Sequence, residues 1–373
     1  MRIGVPRESK DNEFRVGVTP DGARQLTARG HVVQIERGAG VGSGFPDAAY
    51  EHAGARCVTT DAAWSEPDLL VKVKEPNAAE VRRLRPGQTL FAYLHLAPDR
   101  ALTEALCAAG VVAIAYETIQ FADGSFPVLA PMSEVAGRLA IQIGVTLLQR
   151  DRGGKGLLIG GVPGVPRGRV TVVGAGIVGI NAVRVAHALG AEVTVLDVDL
   201  RRLTYLYDLF HGEIGTLYSN RTNLERAVAT SDLLVGAVYL RGRRAPVLVS
   251  DAMVASMEAG SVIADVAVDQ GGCIETIRPT THSDPTYRIH EVIHYGVDNM
   301  PAAVPRTSTF ALTNTTLPYV ERMADEGVAA AVAADPALAL GVNVWRGAVV
   351  CEGVAEAHGL PLRSLAEAME ESR

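Results

Sequence analysis

The chain has 373 residues, of which 48% are hydrophobic and 21% charged, and its formal net charge is -7 at pH 7. This length favours two domains over one core, and the composition is typical of a soluble globular protein. The charge is modest and no basic block is present, which argues against a nucleic-acid partner. The N-terminus lacks the apolar region of a secretory signal, and no apolar stretch reaches the ~18 residues of a membrane helix. We therefore expect a cytoplasmic protein without a membrane partner.

The four cysteines lie far apart in the sequence and form no C-x-x-C pair. This spacing argues against a disulfide framework and against a zinc site, and it fits a reducing compartment. No metal is expected.

In the first third of the chain, short apolar runs alternate with amphipathic stretches, a pattern typical of βαβ units and parallel sheet. Strands are predicted at RIGVP, HVVQIE, DLLVKVK, TLFAYLHL and VVAIAYE. Helices are predicted at PDGARQLTARG and DRALTEALCAAG, each ending at glycine. A longer helix is predicted over PMSEVAGRLAIQIGVTLLQR, with Ser133 as its N-cap.

The alternation of strands and helices begins again after a predicted loop rich in glycine and proline, residues 153–168. Strands are predicted at RVTVVGAG, AEVTVLDVD, DLLVGAVY, SVIADVAVD and YGVDNM, and helices at IVGINAVRVAHALG and RRLTYLYDLFHG. From Thr309 onward the alanine-rich tail predicts helix. The expected fold is α/β with two domains. A Rossmann-type doubly wound parallel sheet, residues 129–305, is inserted into a second α/β domain built from residues 1–128 and a helical part, residues 306–373.

The stretch from Gly174 to Gly179 matches G-x-G-x-x-G between a predicted strand and a predicted helix. In such a turn the first glycine permits the bend, the second lets the backbone approach a pyrophosphate, and the third lets helix pack on strand. Asp197, at the end of the next strand, is suited to bind the ribose hydroxyls and would repel a 2′-phosphate. NAD is therefore the expected cofactor, although Arg201 and Arg202 could serve a 2′-phosphate.

Charged and polar residues also stand where predicted strands end, at the edge that lines ligand crevices in open α/β sheets. Lys74 follows DLLVKV, His95 follows TLFAYL, and Asp269 follows SVIADVAV. Periodicity pairs Lys72 with Lys74, and both lysines could equally protect an edge strand from pairing with another chain. Asp265 lies on the same strand face as Asp269, so spacing does not choose between these two aspartates.

At these residues the sequence closely resembles the NAD-dependent L-alanine dehydrogenases, relatives of the nucleotide-binding subunit of proton-translocating transhydrogenase. The resemblance runs essentially end to end. It is carried by NEFRVGVTP, LLVKVKEP, LFAYLHLA, APMSEVAGRLA, GGVPGV with GAGIVG, DVAVDQGGC and NMPAAVPRTST. It implies the reversible oxidation of L-alanine to pyruvate and ammonium with NAD, in a homo-oligomer that is commonly a hexamer.

The resemblance also implies roles for individual residues. Arg15 and Lys74 match the pair that binds the substrate carboxylate, and His95 and Asp269 match the catalytic residues. It selects Lys74 over Lys72 as the substrate cation, and Lys72 keeps the interpretation as an edge-strand lysine. The positions that match cofactor contacts are Ser133, Gly174, Gly176, Ile177, Val178, Gly179, Asp197, Arg202, Ser219, Val238, Tyr239, Val266, Ala267, Val268, Arg278, Val297, Asn299 and Met300.

The chain departs from the family pattern in two places. Residues 239–244 carry three arginines where an aliphatic-Pro-Gly sequence is usual, and Asp298 replaces a small apolar residue. Alternative functions are an NAD-linked dehydrogenase for another small amino acid, a transhydrogenase-like NAD(H)-binding module, and an NAD-binding regulator without catalysis. The polar C-terminus, LPLRSLAEAMEESR, offers no membrane segment for the transhydrogenase alternative.

Overall fold

The computed structural model describes residues 1–238 and 245–371, and of Asp269 only the backbone. The chain divides into two units. The first consists of Met1–Met132 and Val304–Arg373, and the second of Ser133–Ala303. Among the helices of the described residues, none combines the length and the apolar composition needed to cross a bilayer.

The N-terminal part of the first unit alternates strands with short helices whose starts are capped by Thr19, Thr59, Asn77 and Asp99. Its elements are β1 (Arg2–Val5), α1 (Pro20–Ala28), β2 (Val32–Glu36), α2 (Asp47–His52), β3 (Arg56–Val58), α3 (Thr60–Ser65), β4 (Leu69–Val71), α4 (Ala78–Val81), β5 (Thr89–Ala92), α5 (Arg100–Ala108) and β6 (Val112–Ala115).

The middle of the chain continues with α6 (Ala130–Leu147), β7 (Arg169–Val173), α7 (Ile177–Ala188), β8 (Glu192–Asp197), α8 (Leu200–Leu209), β9 (Gly215–Tyr218), α9 (Arg221–Thr230), β10 (Leu233–Gly236), α10 (Asp251–Ala255), β11 (Val262–Asp265), β12 (Thr286–Ile289) and β13 (Val292–Tyr295). The C-terminal part contains α11 (Pro305–Glu326), α12 (Val328–Ala334), α13 (Pro336–Gly341), β14 (Val342–Trp345), β15 (Ala348–Val349), α14 (Glu352–His358) and α15 (Leu365–Glu370).

The sheet of the first unit has the order β3-β2-β1-β4-β5-β6-β14-β15. All pairs from β3 to β6 are parallel, and β14 and β15 extend the sheet in antiparallel fashion. The order reverses between β1 and β4, which makes the carboxyl ends of these neighbouring strands the expected place for a ligand. Buried side chains of the sheet pack around Trp64, which is 1% exposed.

The sheet of the second unit has the order β9-β8-β7-β10-β11-β13-β12, parallel except for the β12–β13 pair. This is a doubly wound sheet whose order reverses between β7 and β10. The predicted α/β class and the Rossmann-type sheet are confirmed.

Three local predictions were wrong. Helix α6 begins at Ala130, so Ser133 lies inside the first turns of the helix and is not its N-cap. The tail is not only helical, because the alternating stretch Val342–Trp345 pairs with β6. A strand was predicted over YGVDNM, residues 295–300, but β13 covers Val292–Tyr295 and so contains only the first of these residues. A 3₁₀ turn, Met300–Ala303, follows.

The strand predicted over DLLVKVK is shorter than expected and is not at an edge. Strand β4 ends at Val71 and lies between β1 and β5 in the middle of the sheet. The interpretation of its lysines as protection of a sheet edge was therefore wrong.

Candidate functional site

In the first unit, a charged or polar residue follows each of four adjacent strands at their carboxyl ends. Glu8 follows β1, Lys74 follows β4, His95 follows β5, and Glu117 follows β6. Because these strands are parallel neighbours, their four terminal loops lie at one edge of the sheet.

The two lysines after β4 have different environments. Lys72 is 0% exposed, and its Nζ lies 2.9 Å from Glu8 Oε2 and 3.7 Å from Glu80 Oε1. Burial alone would lower the pKa of Lys72, but the Glu8 and Glu80 carboxylates raise it. Lys72 is therefore a paired cation in the core.

Lys74 is partly exposed, and among the described residues no acceptor is bonded to its ammonium group. Its Nζ lies 6.0 Å from the centre of the Tyr93 ring. Burial lowers the pKa of Lys74, the Glu75 carboxylate opposes the shift, and the positive charge of Arg15 adds to it. This ammonium group is therefore suited to bind an anionic ligand.

Arg15 is 2% exposed and is held by Glu13, with 2.7 Å from its Nε to Glu13 Oε1 and 2.5 Å from its Nη2 to Glu13 Oε2. Two of the five N–H donors of the guanidinium are used in this pair. A Cβ on Gly17 would lie 2.6 Å from the Val71 carbonyl oxygen, so the segment after Arg15 passes directly against the end of β4. Arg15 and Lys74 thus form a cationic pair beside the same strand end.

The His95 imidazole stacks on Tyr93, with 6.0 Å between ring centres and an interplanar angle of 10°. Within the described part of the chain, its ring nitrogens make no hydrogen bond. Burial lowers the pKa of His95, and the Glu117 carboxylate opposes the shift in part. The imidazole is therefore mostly neutral near pH 7 and can accept a proton.

In the second unit, the glycine motif forms the turn between β7 and α7. Gly174 has a φ of +106°, a conformation that an L side chain rarely adopts, and a Cβ on Gly179 would collide with the Gly174 carbonyl oxygen. A Cβ on Gly176, by contrast, would meet no described atom within 4 Å. The backbone at Gly176 is therefore open to a ligand at the N-terminus of α7, where the amide donors and the helix dipole favour phosphate.

Asp197 connects this turn to the end of β8. Its Oδ2 accepts a hydrogen bond from the Ala175 amide (2.6 Å), and its Oδ1 accepts one from the Asp199 amide (2.8 Å). Arg202 Nη1 lies 3.8 Å from Asp197 Oδ2, and the Ser219 amide donates to the Asp197 carbonyl oxygen (3.0 Å). The structure thus brings Asp197, Arg202 and Ser219 together beside the glycine turn.

The other predicted cofactor residues lie in several places of the second unit. Val238 and the segment 266–268 follow β10 and β11, at the same edge of the sheet as Gly174. Ser133 lies on α6, which packs against Val178 at Gly137. The remaining residues lie after β11 and around β13. The Arg278 guanidinium stacks on Tyr287, with 4.4 Å to the ring centre. Val297, Asn299 and Met300 are buried, and Asp298 is exposed. Tyr239 and the other residues of 239–244, including the predicted departure from the family pattern, lie outside the described residues.

Asp265, the last residue of β11, is held by the loop that follows the strand. Asp265 is 0% exposed, and its carboxylate accepts hydrogen bonds from the amides of Ala267 (2.9 Å) and Cys273 (2.8 Å). These bonds anchor the loop that carries the 3₁₀ turn Val268–Gln270, which contains Asp269. Asp265 is therefore a structural anchor of the loop, and Asp269 stays the predicted catalytic residue.

Sequence reasoning did not single out the carboxylates that hold the site residues of the first unit. Glu13 holds Arg15, Glu8 accepts from the amides of Val73 (2.7 Å) and Lys74 (3.3 Å), and Glu117 accepts from the amide of His95 (2.7 Å). The available signal was weak: each is an acidic residue shortly after an apolar strand or shortly before Arg15.

Comparison with known proteins gives a consistent result over the whole chain. Residues 4–136 match the family model "Alanine dehydrogenase/PNT, N-terminal domain", and residues 140–352 match "Alanine dehydrogenase/PNT, C-terminal domain". The chain is 54% identical to the alanine dehydrogenase of Mycobacterium tuberculosis over 97% of its length and 98% of the relative. It is 52% identical to that of Methanococcus maripaludis over the full length of both chains.

Solved structures give the same picture. An L-alanine dehydrogenase matches with a TM-score of 0.94 and 50% identity, covering 96% of this chain and 99% of the other. A transhydrogenase from Sinorhizobium meliloti matches with a TM-score of 0.81 and 26% identity, covering 94% and 99%.

Proposed function

The chain belongs to the alanine dehydrogenase/PNT family, and we propose that it catalyses the reversible oxidative deamination of L-alanine to pyruvate and ammonium with NAD. The observation that carries the proposal is the arrangement at the edge of the first sheet. Two cations, Arg15 and Lys74, lie beside a partly buried histidine whose lowered pKa keeps the imidazole mostly neutral. A small 2-oxo or 2-amino acid offers the carboxylate and the reacting oxygen that such groups bind.

The residues of the second unit fit a dinucleotide. The open backbone at Gly176 and the N-terminus of α7 would hold the pyrophosphate, and Asp197 would bind the adenosine ribose. The Asp197 carboxylate would repel a 2′-phosphate, which favours NAD over NADP. When bound, the nicotinamide supplies the hydride chemistry.

In the proposed mechanism, Arg15 and Lys74 bind the substrate carboxylate through charge-assisted hydrogen bonds, worth ~1.5–3 kcal/mol each. These bonds orient the substrate as well as retain it. The lowered pKa of Lys74 supports this role, because a desolvated cation gains more from an anionic partner than a hydrated one does.

His95 is assigned the proton transfers at the substrate oxygen. In alanine oxidation, water adds to the iminium form of the substrate, and the neutral imidazole accepts a proton as ammonia leaves; in the reverse direction the protonated imidazole donates it. Asp269 is assigned the stabilisation of positive charge on the substrate nitrogen. A homo-oligomer remains part of the proposal because of the resemblance, and a cytoplasmic location remains part of it because of the composition and the cysteine spacing.

The test is NADH oxidation with pyruvate and ammonium, followed by the loss of NADH absorbance. Controls replace NADH by NADPH, omit ammonium, or replace pyruvate by 2-oxobutyrate or glyoxylate. The proposal predicts the highest kcat/KM with NADH and pyruvate, and a dependence on ammonium. No oxidation of NADH with pyruvate and ammonium would overturn it, and a higher kcat/KM for another oxo acid would move the substrate assignment to that acid.

A further inference from the structure

The backbone of His95 is held in an unusual conformation. Its φ of +47° lies in the left-handed region, which a residue with a side chain occupies only when the surrounding structure holds it there. His95 lies in the loop that follows β5, which ends at Ala92, so its backbone conformation decides where the imidazole lies.

Glu117, which follows the neighbouring strand β6, holds the backbone at His95. Its Oε1 accepts a hydrogen bond from the His95 amide (2.7 Å), and both carboxylate oxygens lie 3.2–3.3 Å from the Leu94 amide nitrogen. Hydrogen bonds from adjacent amides to one ionised carboxylate are among the stronger ones in proteins. The two bonds fix the orientation of consecutive peptide groups, and with it the left-handed turn.

Glu117 is itself firmly placed. It lies in the 3₁₀ turn Tyr116–Thr118 that follows β6. The Tyr116 ring packs edge-on against Phe91 (4.4 Å between ring centres) and Tyr93 (5.0 Å), and Thr118 Oγ1 accepts a hydrogen bond from Asn343 Nδ2 (2.8 Å). The two residues that flank Glu117 are therefore both held in place, and the position of the Glu117 carboxylate is fixed.

The charges around His95 come from every neighbouring strand end. Lys10 follows β1, and Lys74 and Glu75 follow β4, while the neutral Tyr93 ring stacks on the imidazole. The two lysines lower the pKa of His95 and the two carboxylates raise it, with burial as the largest effect and the Glu117 carboxylate as the largest effect of a charge.

We propose that Glu117 is a positioning residue for the alanine dehydrogenase reaction, whose carboxylate fixes the His95 imidazole through the amides of Leu94 and His95. The inference rests on the proposed function, since that function gives His95 its role. Glu117 acts on the proton transfer without touching the substrate, and its negative charge keeps the imidazole more basic than burial alone would leave it.

Two substitutions separate the hydrogen bonds from the charge. Oε1 of Glu117 lies within bonding distance of both amides, so Glu117→Gln can keep both bonds through one oxygen while the charge is removed. Glu117→Ala removes bonds and charge together. Glu104→Gln, which removes the exposed carboxylate paired with Arg100, is the matched control for loss of one negative charge.

For Glu117→Ala we expect a loss of ~10²-fold in kcat for alanine oxidation, with the NADH dissociation constant unchanged, because a misplaced base disturbs the chemical step. For Glu117→Gln we expect a kcat at high pH that is close to that of the wild-type protein. Its acidic limb of kcat/KM should move to lower pH, because removal of a charge that raises the pKa of His95 extends the neutral form to lower pH. Glu104→Gln should leave kcat and the pH profile as they are.

A purely structural role would lower thermal stability in both variants and leave the pH profile unchanged. The inference is overturned if Glu117→Gln has the wild-type pH profile or if a folded Glu117→Ala keeps the wild-type kcat. Should Glu117→Ala fail to fold, the pH profile of Glu117→Gln decides the matter. Inactivity of the wild-type protein with every substrate would instead be a failure of the proposed function.

Discussion

Replacement of Lys72 by methionine should destabilise the first unit, because Lys72 neutralises two carboxylates in the core. Glu8 and Glu80 are only 8% and 6% exposed, and Lys72 lies between them. Removal of one partner from a buried ion pair costs ~3–5 kcal/mol. In the variant, Glu8 still accepts hydrogen bonds from the amides of Val73 and Lys74, and Glu80 still accepts one from the Ser9 hydroxyl. We therefore expect a loss of unfolding free energy at the lower end of this range, about 3 kcal/mol.

This loss corresponds to a measurable shift in melting temperature. A unit of roughly 200 residues unfolds with an entropy of about 0.4 kcal/mol/K, so a loss of about 3 kcal/mol lowers the Tm by ~7 °C. The deficit should shrink as the pH falls. Burial already raises the pKa of Glu8 and Lys72 opposes that shift, so without Lys72 the pKa rises further above its unfolded value. Protonation then removes the unpaired charge at low pH, whereas at high pH the charge remains.

The assay is urea unfolding followed by tryptophan fluorescence, which reports on the first unit because Trp64 and Trp345, the two tryptophans of the chain, both belong to it. Lys72 Nζ lies 5.5 Å from the centre of the Trp64 ring, so circular dichroism should accompany the fluorescence.

Lys74→Met is the matched control for this experiment. Its ammonium has no bonded acceptor among the described residues, so the free energy of unfolding should stay within about 0.5 kcal/mol of wild type. The KM for pyruvate should instead rise ~10–100-fold, the equivalent of one charge-assisted hydrogen bond. Equal stability of the two variants would refute the assignment of Lys72 to the core and Lys74 to the ligand.

Further predictions concern pH, the two aspartates and the cofactor. Because burial lowers the pKa of Lys74, the KM for pyruvate should begin to rise with pH below the pKa of an ordinary lysine side chain. Lys74→Arg should move this rise to higher pH. Asp269→Asn should reduce kcat by ~10²-fold or more with NADH affinity kept, whereas Asp265→Asn should lower the free energy of unfolding by ~1–3 kcal/mol. An inactive but fully stable Asp265→Asn would reverse these roles. Asp197→Ser should raise kcat/KM for NADPH relative to NADH ~10-fold, and an unchanged ratio would contradict the ribose assignment.

The glycine turn of the second unit and the carboxylate that follows it were predictable because both depend on local spacing. The turn from Gly174 to Gly179 and the carboxylate at Asp197 are separated by one helix and one strand. What the spacing did not predict is that Asp197 also bonds the Ala175 amide, because that bond depends on how β7 and β8 are placed beside each other.

The choices that the sequence left open were choices between two residues of one predicted strand. Period-two alternation places Lys72 with Lys74 and Asp265 with Asp269 on the same face, so no local pattern separates them. Burial and partners separate the two lysines, because Lys72 is fully buried and paired whereas Lys74 is partly exposed. Asp265 is fully buried and bonded to the amides of its own loop, which gives it a structural role.

By itself the sequence determined the α/β class, the dinucleotide motif and the residue types able to bind a small carboxylate, because these follow from periodicity and short spacings. Only the tertiary structure decided that β1, β4, β5 and β6 are neighbours, which brings Glu8 to the Lys74 loop and Glu117 to the His95 loop. Strand order joins segments tens of residues apart, and each pairing depends on the packing of the whole sheet. The carboxylates that hold the site are therefore visible only in the folded chain.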